Sequence, residues 1–314
     1  MAPNLLFFVN SIVTMTNIFY QFNKGKYITS YLGQTQSRQL QRNPIGIFDS
    51  GVGGIGVLKE SYCQLSGETF IYFADTARLP YGTKSQAEIV LFVRQVLTWM
   101  QNQGVKMAIV ACNTATAAAI DRVAVEYNFP IIGMIEPGAN TVVNRGSKKI
   151  GVIATRQTVN SNAYLNTILK LDPSVLVFQV GAPALVPLIE QGRINDVYTF
   201  EVVRQYLKPL IAQQIDTLIL GCTHYPHLLH LFREILGNSV QVVDPAIAVV
   251  RSAARELQRL GISSDRPPHC TNFYVSGNPE EFAKKVQLFL GFTPTVEQVC
   301  LEVERVAVQS ESVA

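Results

Sequence analysis

The feature that most constrains this chain is an alternation, from Pro44 onward, of short apolar runs with longer stretches of helical period. Short apolar runs are typical of strands buried on both faces, and the helical stretches supply the crossovers between them. The pattern predicts an α/β fold with mainly parallel sheets flanked by helices. The candidate strands are residues 45–49, 69–73, 106–111, 131–135, 149–154, 175–180, 216–221, 240–243 and 272–275.

A weak internal repeat indicates how these elements are arranged. The chain has 314 residues, enough for about two domains. The pattern of residues 45–50 recurs at 150–155, and that of 109–114 is echoed at 219–224. Two matches in the same order predict two pseudo-symmetric lobes with a cleft between them, and the polar stretch 144–149 is the natural hinge.

The first 43 residues differ in composition from the rest of the chain, because a moderately apolar stretch is followed by a polar, Gln-rich one. Residues 5–22 are partly apolar, but polar side chains interrupt them and no Lys or Arg precedes Lys24, which is unlike a signal peptide or a spanning helix. We therefore expect no membrane or targeting role, and we interpret residues 1–43 either as a poorly ordered extension or as the result of a start codon assigned too far upstream. The predicted units are an extension at 1–43, a first lobe at 44–143 plus 244–300, a second lobe at 144–243 and a tail at 301–314.

The charge balance indicates which partners to expect, and the cysteine pattern indicates the redox compartment. Lys and Arg number 26 against 23 Asp and Glu, with no dense basic block, so nucleic acid is not an expected partner. The cysteines are scattered without CxxC pairs, so we interpret them as free thiols in a reducing cytoplasm. They are Cys63, Cys112, Cys222, Cys270 and Cys300.

Two of these thiols occupy matching places in the repeat. Cys112 and Cys222 each follow an apolar run, and ligands of open α/β sheets bind beyond the carboxyl ends of strands. A cysteine at a strand end is otherwise a small buried hydrophobe. If the lobes face each other, one thiol approaches a substrate from each side, which is the geometry that racemisation without a cofactor requires. A thiol, with a pKa of about 8.5, needs only modest help to act as a base.

Each cysteine has a candidate acid–base partner. Asp49 ends the first strand near Cys112, although an Asp there is also a favoured helix N-cap. His224 lies two residues beyond Cys222, where a surface or capping histidine is the alternative. Glu190 is either a solvated residue near a helix end or a carboxylate that faces the cleft.

Three other motifs admit rival interpretations. Residues 51–56 satisfy GxGxxG, and Asp75 follows the next strand, as in a dinucleotide site. Against this interpretation, the nearby Asp49 carboxylate would repel a pyrophosphate. A glycine-rich turn can also hold the carboxylate of an amino acid. Residues 75–82 form either a rigid loop that places backbone amides and the Tyr81 ring at the cleft or a plain connection. A zinc site is disfavoured because its candidate ligands would need a bend to converge: Cys222, His224, His227 and His230.

Taken together, five blocks in order resemble the signature of the glutamate racemases, over about residues 44–292. The resemblance implies two α/β lobes with the site between them and interconversion of L- and D-glutamate for peptidoglycan synthesis. It further implies no pyridoxal phosphate, metal or nucleotide, and a homodimer. The blocks are residues 45–54, 75–82, 111–115, 135–138 and 221–226.

The resemblance also assigns roles. Cys112 would be the base acting on D-glutamate and Cys222 the base acting on L-glutamate. Asp49, Glu190 and His224 would support them. The expected substrate contacts are Asp49, Ser50, Tyr81, Gly82, Asn113, Thr114, Thr223 and His224.

The sequence departs from the family pattern at two places, and three alternative functions compete with this assignment. The leader is unexplained, and Ala182 stands where many members have a Cys, which leaves Glu190 in place. The rivals are a racemase of aspartate or a hydantoin, a nucleotide-dependent oxidoreductase, and a non-catalytic binding protein on the same scaffold.

Overall fold

The computed structural model describes residues 34–264 and 271–301. Its strands are β1 Ile45–Asp49, β2 Phe70–Ala74, β3 Met107–Val110, β4 Ile131–Gly133, β5 Lys149–Ala154, β6 Leu176–Gly181, β7 Thr217–Gly221, β8 Gln241–Val243, β9 Asn272–Val275 and β10 Val296–Gln298. Its α-helices are α1 Gln34–Arg42, α2 Ile55–Gln64, α3 Gln86–Asn102, α4 Asn113–Val123, α5 Ile135–Asn144, α6 Arg156–Asn160, α7 Ala163–Leu171, α8 Leu185–Glu190, α9 Val197–Ala212, α10 Leu229–Leu236, α11 Ala246–Leu260 and α12 Pro279–Leu290. Short 3-10 helices occupy Thr76–Arg78, Tyr81–Thr83, Ala124–Glu126, Tyr225–Leu228 and Gly237–Ser239.

Within the described ranges, the strands form two parallel sheets. One has six strands in the order β10-β9-β2-β1-β3-β4, and the other has four in the order β6-β5-β7-β8. We call the parts of the chain that carry them the first and second lobes. Strands β1, β2, β3 and β7 are buried along their whole length, as apolar strands covered by helices on both faces must be. The predicted α/β class is confirmed.

Helix α3 illustrates how the sequence specifies its elements. Ser85 and Glu88 form a capping box at its start, satisfying two backbone N–H groups that have no partner within the helix. Five apolar side chains then recur at helical spacing and are fully buried against the first sheet, each contributing roughly 1.5–3 kcal/mol relative to exposure. They are Ile89, Val93, Val96, Leu97 and Met100.

The predicted strands correspond to β1 to β9 with shifts of one or two residues at their ends. Strand β4 stops at Gly133 rather than 135, because α5 begins at Ile135. The final strand, β10, was not predicted. Its three residues, Val-Glu-Gln, carry no apolar run, and pairing with β9 makes them a strand.

The return of the chain to the first sheet determines which segments can meet. After β8, the chain crosses back through α11, and β9 pairs with β2, so α12 belongs to the first lobe. The predicted division, 44–143 plus 244–300 against 144–243 with a hinge at 144–149, stays a prediction.

The predicted terminal units fall largely outside the described residues. Residues 1–33 of the leader and 302–314 of the tail lie there, whereas Gln34–Arg42 of the leader forms α1. In the part of the chain that is described, no helix combines the length and apolarity needed to cross a membrane.

Candidate active site

The predicted site residues gather at the carboxyl ends of the central strands of both sheets. Strand β1 ends at Asp49, and Cys112 follows β3. In the second lobe, Cys222 follows β7. Parallel neighbours end at the same edge of a sheet, so these side chains emerge together, and the edges of the two lobes face each other.

Cys112 is a buried thiol at the start of a helix. It is the N-cap of α4; its Sγ lies 3.5 Å from the Ala115 backbone N–H and 3.7 Å from the Ser50 hydroxyl. Burial, followed by the charge of Asp49, raises the pKa of the thiol to about 12, although the contacts with Ala115 and Ser50 oppose the shift. At neutral pH this thiol is therefore protonated and able to act as an acid.

Asp49 connects the two lobes. Its carboxylate is fully buried; one oxygen accepts the Gly51 backbone N–H at 2.9 Å, and the other accepts the Thr223 hydroxyl at 3.2 Å. Gly54 occupies the N-cap of α2 and no side chain caps that helix. The N-cap interpretation of Asp49 is therefore wrong, because the carboxylate points across the cleft instead of at the helix.

Cys222 is the start of a chain of polar contacts. Its Sγ lies 3.9 Å from Nδ1 of His224, whose Nε2 lies 2.8 Å from Oε1 of Glu190. The second carboxylate oxygen accepts a hydrogen bond from Lys285 at 2.5 Å. His224 is 3% exposed and makes no side-chain cap, so the surface and capping interpretations of this histidine are both wrong.

The pKa values of His224 and Glu190 are set by their contacts within this series. Burial lowers the pKa of His224, but contacts with Cys222 and Glu190 and the charge of Asp49 outweigh burial and raise it to about 10. Burial likewise raises the pKa of Glu190, but His224 and Lys285 outweigh it and lower the value to about 2. An imidazolium held between a carboxylate and a thiol can pair with a thiolate and return a proton to it.

Asn113 and Thr114 follow Cys112 and face the second lobe. The Asn113 amide oxygen accepts the Tyr164 hydroxyl at 2.8 Å, whereas its buried Nδ2 has no hydrogen-bond partner among the described residues. The Thr114 hydroxyl lies 2.8 Å from that of Thr155. An unpaired buried amide donor is costly, so it fits a site where a ligand carboxylate completes the bond.

Tyr81 is placed differently from the expectation that its ring lines the cleft. The side chain is 1% exposed, packs against Phe48 and Phe92, and donates its hydroxyl to Asp75 within the first lobe. Gly82 lies at the other lobe, because a Cβ on it would meet Thr155 at 3.1 Å. The loop therefore contributes packing and backbone at this point rather than an available phenol.

The glycine-rich turn at residues 51–56 allows side chains of the second lobe to approach its backbone closely. A Cβ on Gly53 would lie 2.5 Å from the Thr223 hydroxyl oxygen and 2.6 Å from Nδ1 of His224, and a Cβ on Gly51 would lie 3.5 Å from Oε1 of Glu190. Space that a pyrophosphate would need above these glycines is thus filled by protein side chains. The dinucleotide interpretation fits this turn poorly.

The candidate zinc motif is dispersed. His224 is bonded to Glu190, the His227 ring stacks on Phe289 with centroids 4.1 Å apart, and His230 is exposed. Over residues 34–264 and 271–301, no group of three or more His, Cys, Asp or Glu could hold a metal ion.

Four residues that the sequence analysis did not single out adjoin the site. Thr155 had a usable signal, since the repeat aligns it with Ser50. The others occur in helices or strands with no distinguishing motif. The four are Tyr72, which donates to the Gly51 carbonyl, Thr155, Tyr164 and Lys285.

Comparison with known proteins agrees with this geometry. Residues 60–253 match the family model described as Asp/Glu/Hydantoin racemase. A curated glutamate racemase of a Nostoc species is 55% identical over 263 residues, covering 84% of this chain and 90% of the relative.

Solved structures give the same result. A glutamate racemase isoform from Bacillus anthracis superposes with a TM-score of 0.81 at 34% identity, covering 83% of this chain and all of that one (100%). The Francisella tularensis glutamate racemase in complex with D-glutamate has a TM-score of 0.77 at 35% identity, covering 82% of this chain and 97% of that one. The chain belongs to the glutamate racemase family, within the Asp/Glu/Hydantoin racemases.

Proposed function

We propose that this protein interconverts L- and D-glutamate without a cofactor, with Cys112 and Cys222 acting on opposite faces of the α-carbon. The observation that carries the proposal is the path of contacts between the two thiols. Cys112 lies 3.7 Å from Ser50, and the adjacent Asp49 accepts a hydrogen bond of 3.2 Å from Thr223, the neighbour of Cys222. The thiols thus belong to one site, one from each lobe.

The protonation states determine which thiol donates a proton and which thiol accepts one. The buried Cys112 thiol, with its pKa near 12, carries the proton to be delivered, whereas Cys222 faces a positively charged His224. In this state, Cys222 removes the α-proton of L-glutamate and Cys112 protonates the opposite face, giving D-glutamate. The reverse reaction starts from the opposite state, with Cys112 as the base.

The supporting roles follow from the contacts. Asp49 acts beside Cys112, and Glu190 and His224 act beside Cys222. The free Nδ2 of Asn113 and the hydroxyls of Ser50 and Thr114 supply donors for the substrate carboxylates, with backbone of Tyr81, Gly82, Thr223 and His224 at the rim. The buried charge of Asp49 complements the ammonium group. The D-glutamate bound by the Francisella relative supports this choice of substrate.

We further propose that the enzyme is a cytoplasmic homodimer that supplies D-glutamate for peptidoglycan.

An exchange experiment tests the choice of glutamate as the substrate. Purified protein and L-glutamate in D2O, with no added cofactor, should lose optical rotation while α-deuterium appears. L-Aspartate should remain unchanged. Exchange of aspartate alone would make the substrate assignment wrong, and exchange of neither amino acid would favour the binding-protein alternative.

A further inference from the structure

A line of charged contacts leads from the protein surface to the buried Cys222 thiol. Lys285, whose side chain is 42% exposed, contacts Glu190, which is 12% exposed; Glu190 contacts His224, which is 4% exposed. Each oxygen of the Glu190 carboxylate therefore has one cationic partner, His224 on Oε1 and Lys285 on Oε2. The first partner belongs to the site and the second comes from outside the motifs.

Lys285 reaches this carboxylate from the opposite lobe. It lies on α12, which is anchored at its start by Asn278 accepting the Glu281 backbone N–H at 3.0 Å. One face of α12 is buried in the first lobe. Lys285 and Phe289, one turn apart, instead extend to the second lobe, where Phe289 stacks on His227 at 4.1 Å. Two independent contacts, with Glu190 and with His227, thus place α12 beside Glu190 and His224, which we call the acid–base pair.

We propose that Lys285 is a positioning residue for this pair: from the first lobe it holds the Glu190 carboxylate against His224, so that proton transfer through Cys222 depends on contact between the lobes. The inference rests on the proposed function. Without the ammonium group, Oε2 of Glu190 loses its partner and the partly exposed carboxylate can turn towards solvent. His224 then loses the bond that fixes its ring opposite Cys222.

Several charged groups surround the pair and determine how it titrates. Glu190 faces His224 and Lys285, and His224 also faces Cys222 and Asp49. The neighbouring His227 lies near His224, Lys59 and Glu190; burial, followed by the charge of His224, lowers its pKa to about 4. His227 is thus neutral at pH 7, and Lys285 is the cation that contacts the outer oxygen of Glu190.

The test separates the two half-reactions. Threo-3-chloroglutamate of either α-configuration loses its α-proton to one thiolate and chloride from the β-carbon, so elimination needs only one cysteine. Lys285→Met should slow elimination from the L-configured compound about tenfold, a loss typical of a slightly misplaced catalytic group. Elimination from the D-configured compound should stay within about twofold, because Cys112 has other neighbours.

Matched variants control for charge and fold. The Lys284 side chain is exposed and makes no hydrogen bond or ion pair within the described residues, so Lys284→Met should behave as wild type. Lys285→Arg keeps the cation and should restore most of the rate. Equal slowing of both enantiomers, no slowing, or failure of arginine to rescue would each overturn the inference. In racemisation, kcat/KM must fall equally in both directions, because enantiomers have equal free energy in water.

A second readout needs no turnover. Titration of His224, followed by NMR of its ring nitrogens, should show a lower pKa in Lys285→Met than in Lys284→Met. An identical titration in both variants would overturn the inference. If the wild-type protein neither racemises glutamate nor eliminates chloride, the proposed function fails, and this titration still decides whether Lys285 positions the pair.

Discussion

The hydroxyl of Thr223 donates a hydrogen bond of 3.2 Å to the carboxylate of Asp49, across the boundary between the two lobes. Thr223 adjoins Cys222 in sequence, and Asp49 adjoins Ser50, whose hydroxyl contacts Cys112, so this bond fixes the relation between the halves of the site.

The two cysteines should be individually indispensable for racemisation and separable in elimination. Cys112→Ser and Cys222→Ser should each lower racemisation at least about a hundredfold, because a positioned acid or base contributes roughly 10²–10⁴-fold. Chloride release from threo-3-chloroglutamate should survive only for the D-configured compound in Cys222→Ser, and only for the L-configured one in Cys112→Ser. Full racemisation by either variant would contradict the two-base assignment.

Removal of the Asp49 charge should make the Cys112 thiol more acidic. After burial, Asp49 is the largest cause of the raised pKa of Cys112, so Asp49→Asn should bring that pKa down from about 12. Alkylation of the Cys112 peptide by iodoacetamide, quantified by mass spectrometry against pH, measures the change. The exposed Cys63 is the internal control and should be alkylated to the same extent in both proteins. An unchanged Cys112 profile would show that Asp49 does not face this thiol.

Enlargement of Gly53 should separate the lobes. Gly53→Ala places a methyl group 2.5–2.6 Å from Thr223 and His224, so we expect kcat/KM to fall about a hundredfold through misplacement of the pair. Gly56→Ala is the matched control, since a Cβ there meets nothing within 4 Å, and helix propensity predicts stabilisation of up to about 1 kcal/mol. Equal activity of the two variants would remove the argument for close approach at Gly53.

The pH dependence of stability should carry a signature of the Glu190–His224 pair. Glu190 has a folded pKa of about 2, below its ordinary value of 4.5, so its contribution to stability is present above about pH 4.5 and is lost as pH falls towards 2. His224 has a folded pKa of about 10, above 6.5, so its contribution is complete below 6.5 and is lost as pH rises to 10.

Urea denaturation across this pH range measures the effect. The difference in unfolding free energy between wild type and Glu190→Gln should shrink below pH 4.5 and again towards pH 10. A difference that is constant from pH 2 to pH 10 would show that the carboxylate and the imidazolium are not paired in the folded protein.

Much of the fold and the centre of the site could be predicted from the sequence. Buried parallel strands leave apolar runs, and the residues that follow those runs, such as Cys112 and Cys222, meet at one sheet edge whatever the loops do. The repeat of these runs indicated two lobes. By contrast, β10 left no apolar run to detect, because its pairing with β9 is a tertiary effect.

Contacts that depend on the packing of distant segments could not be predicted in this way. Lys285 lies 95 residues from Glu190 on an ordinary amphipathic helix, and only the return of the chain to the first sheet brings the two together. The direction of the Tyr81 phenol was missed for a similar reason. Its partner, Asp75, is near in sequence, but burial under Phe48 and Phe92 decides which way the ring points.

The central claim is that two different groups handle the proton on the two faces of the substrate, and early deuterium labelling tests it most directly. When L-glutamate is incubated in D2O and stopped within the first few per cent of conversion, α-deuterium should be found in the D-glutamate formed, while the remaining L-glutamate stays unlabelled. Deuterium in the remaining L-glutamate at the same rate as in the product would mean that one group serves both faces, which would contradict the account.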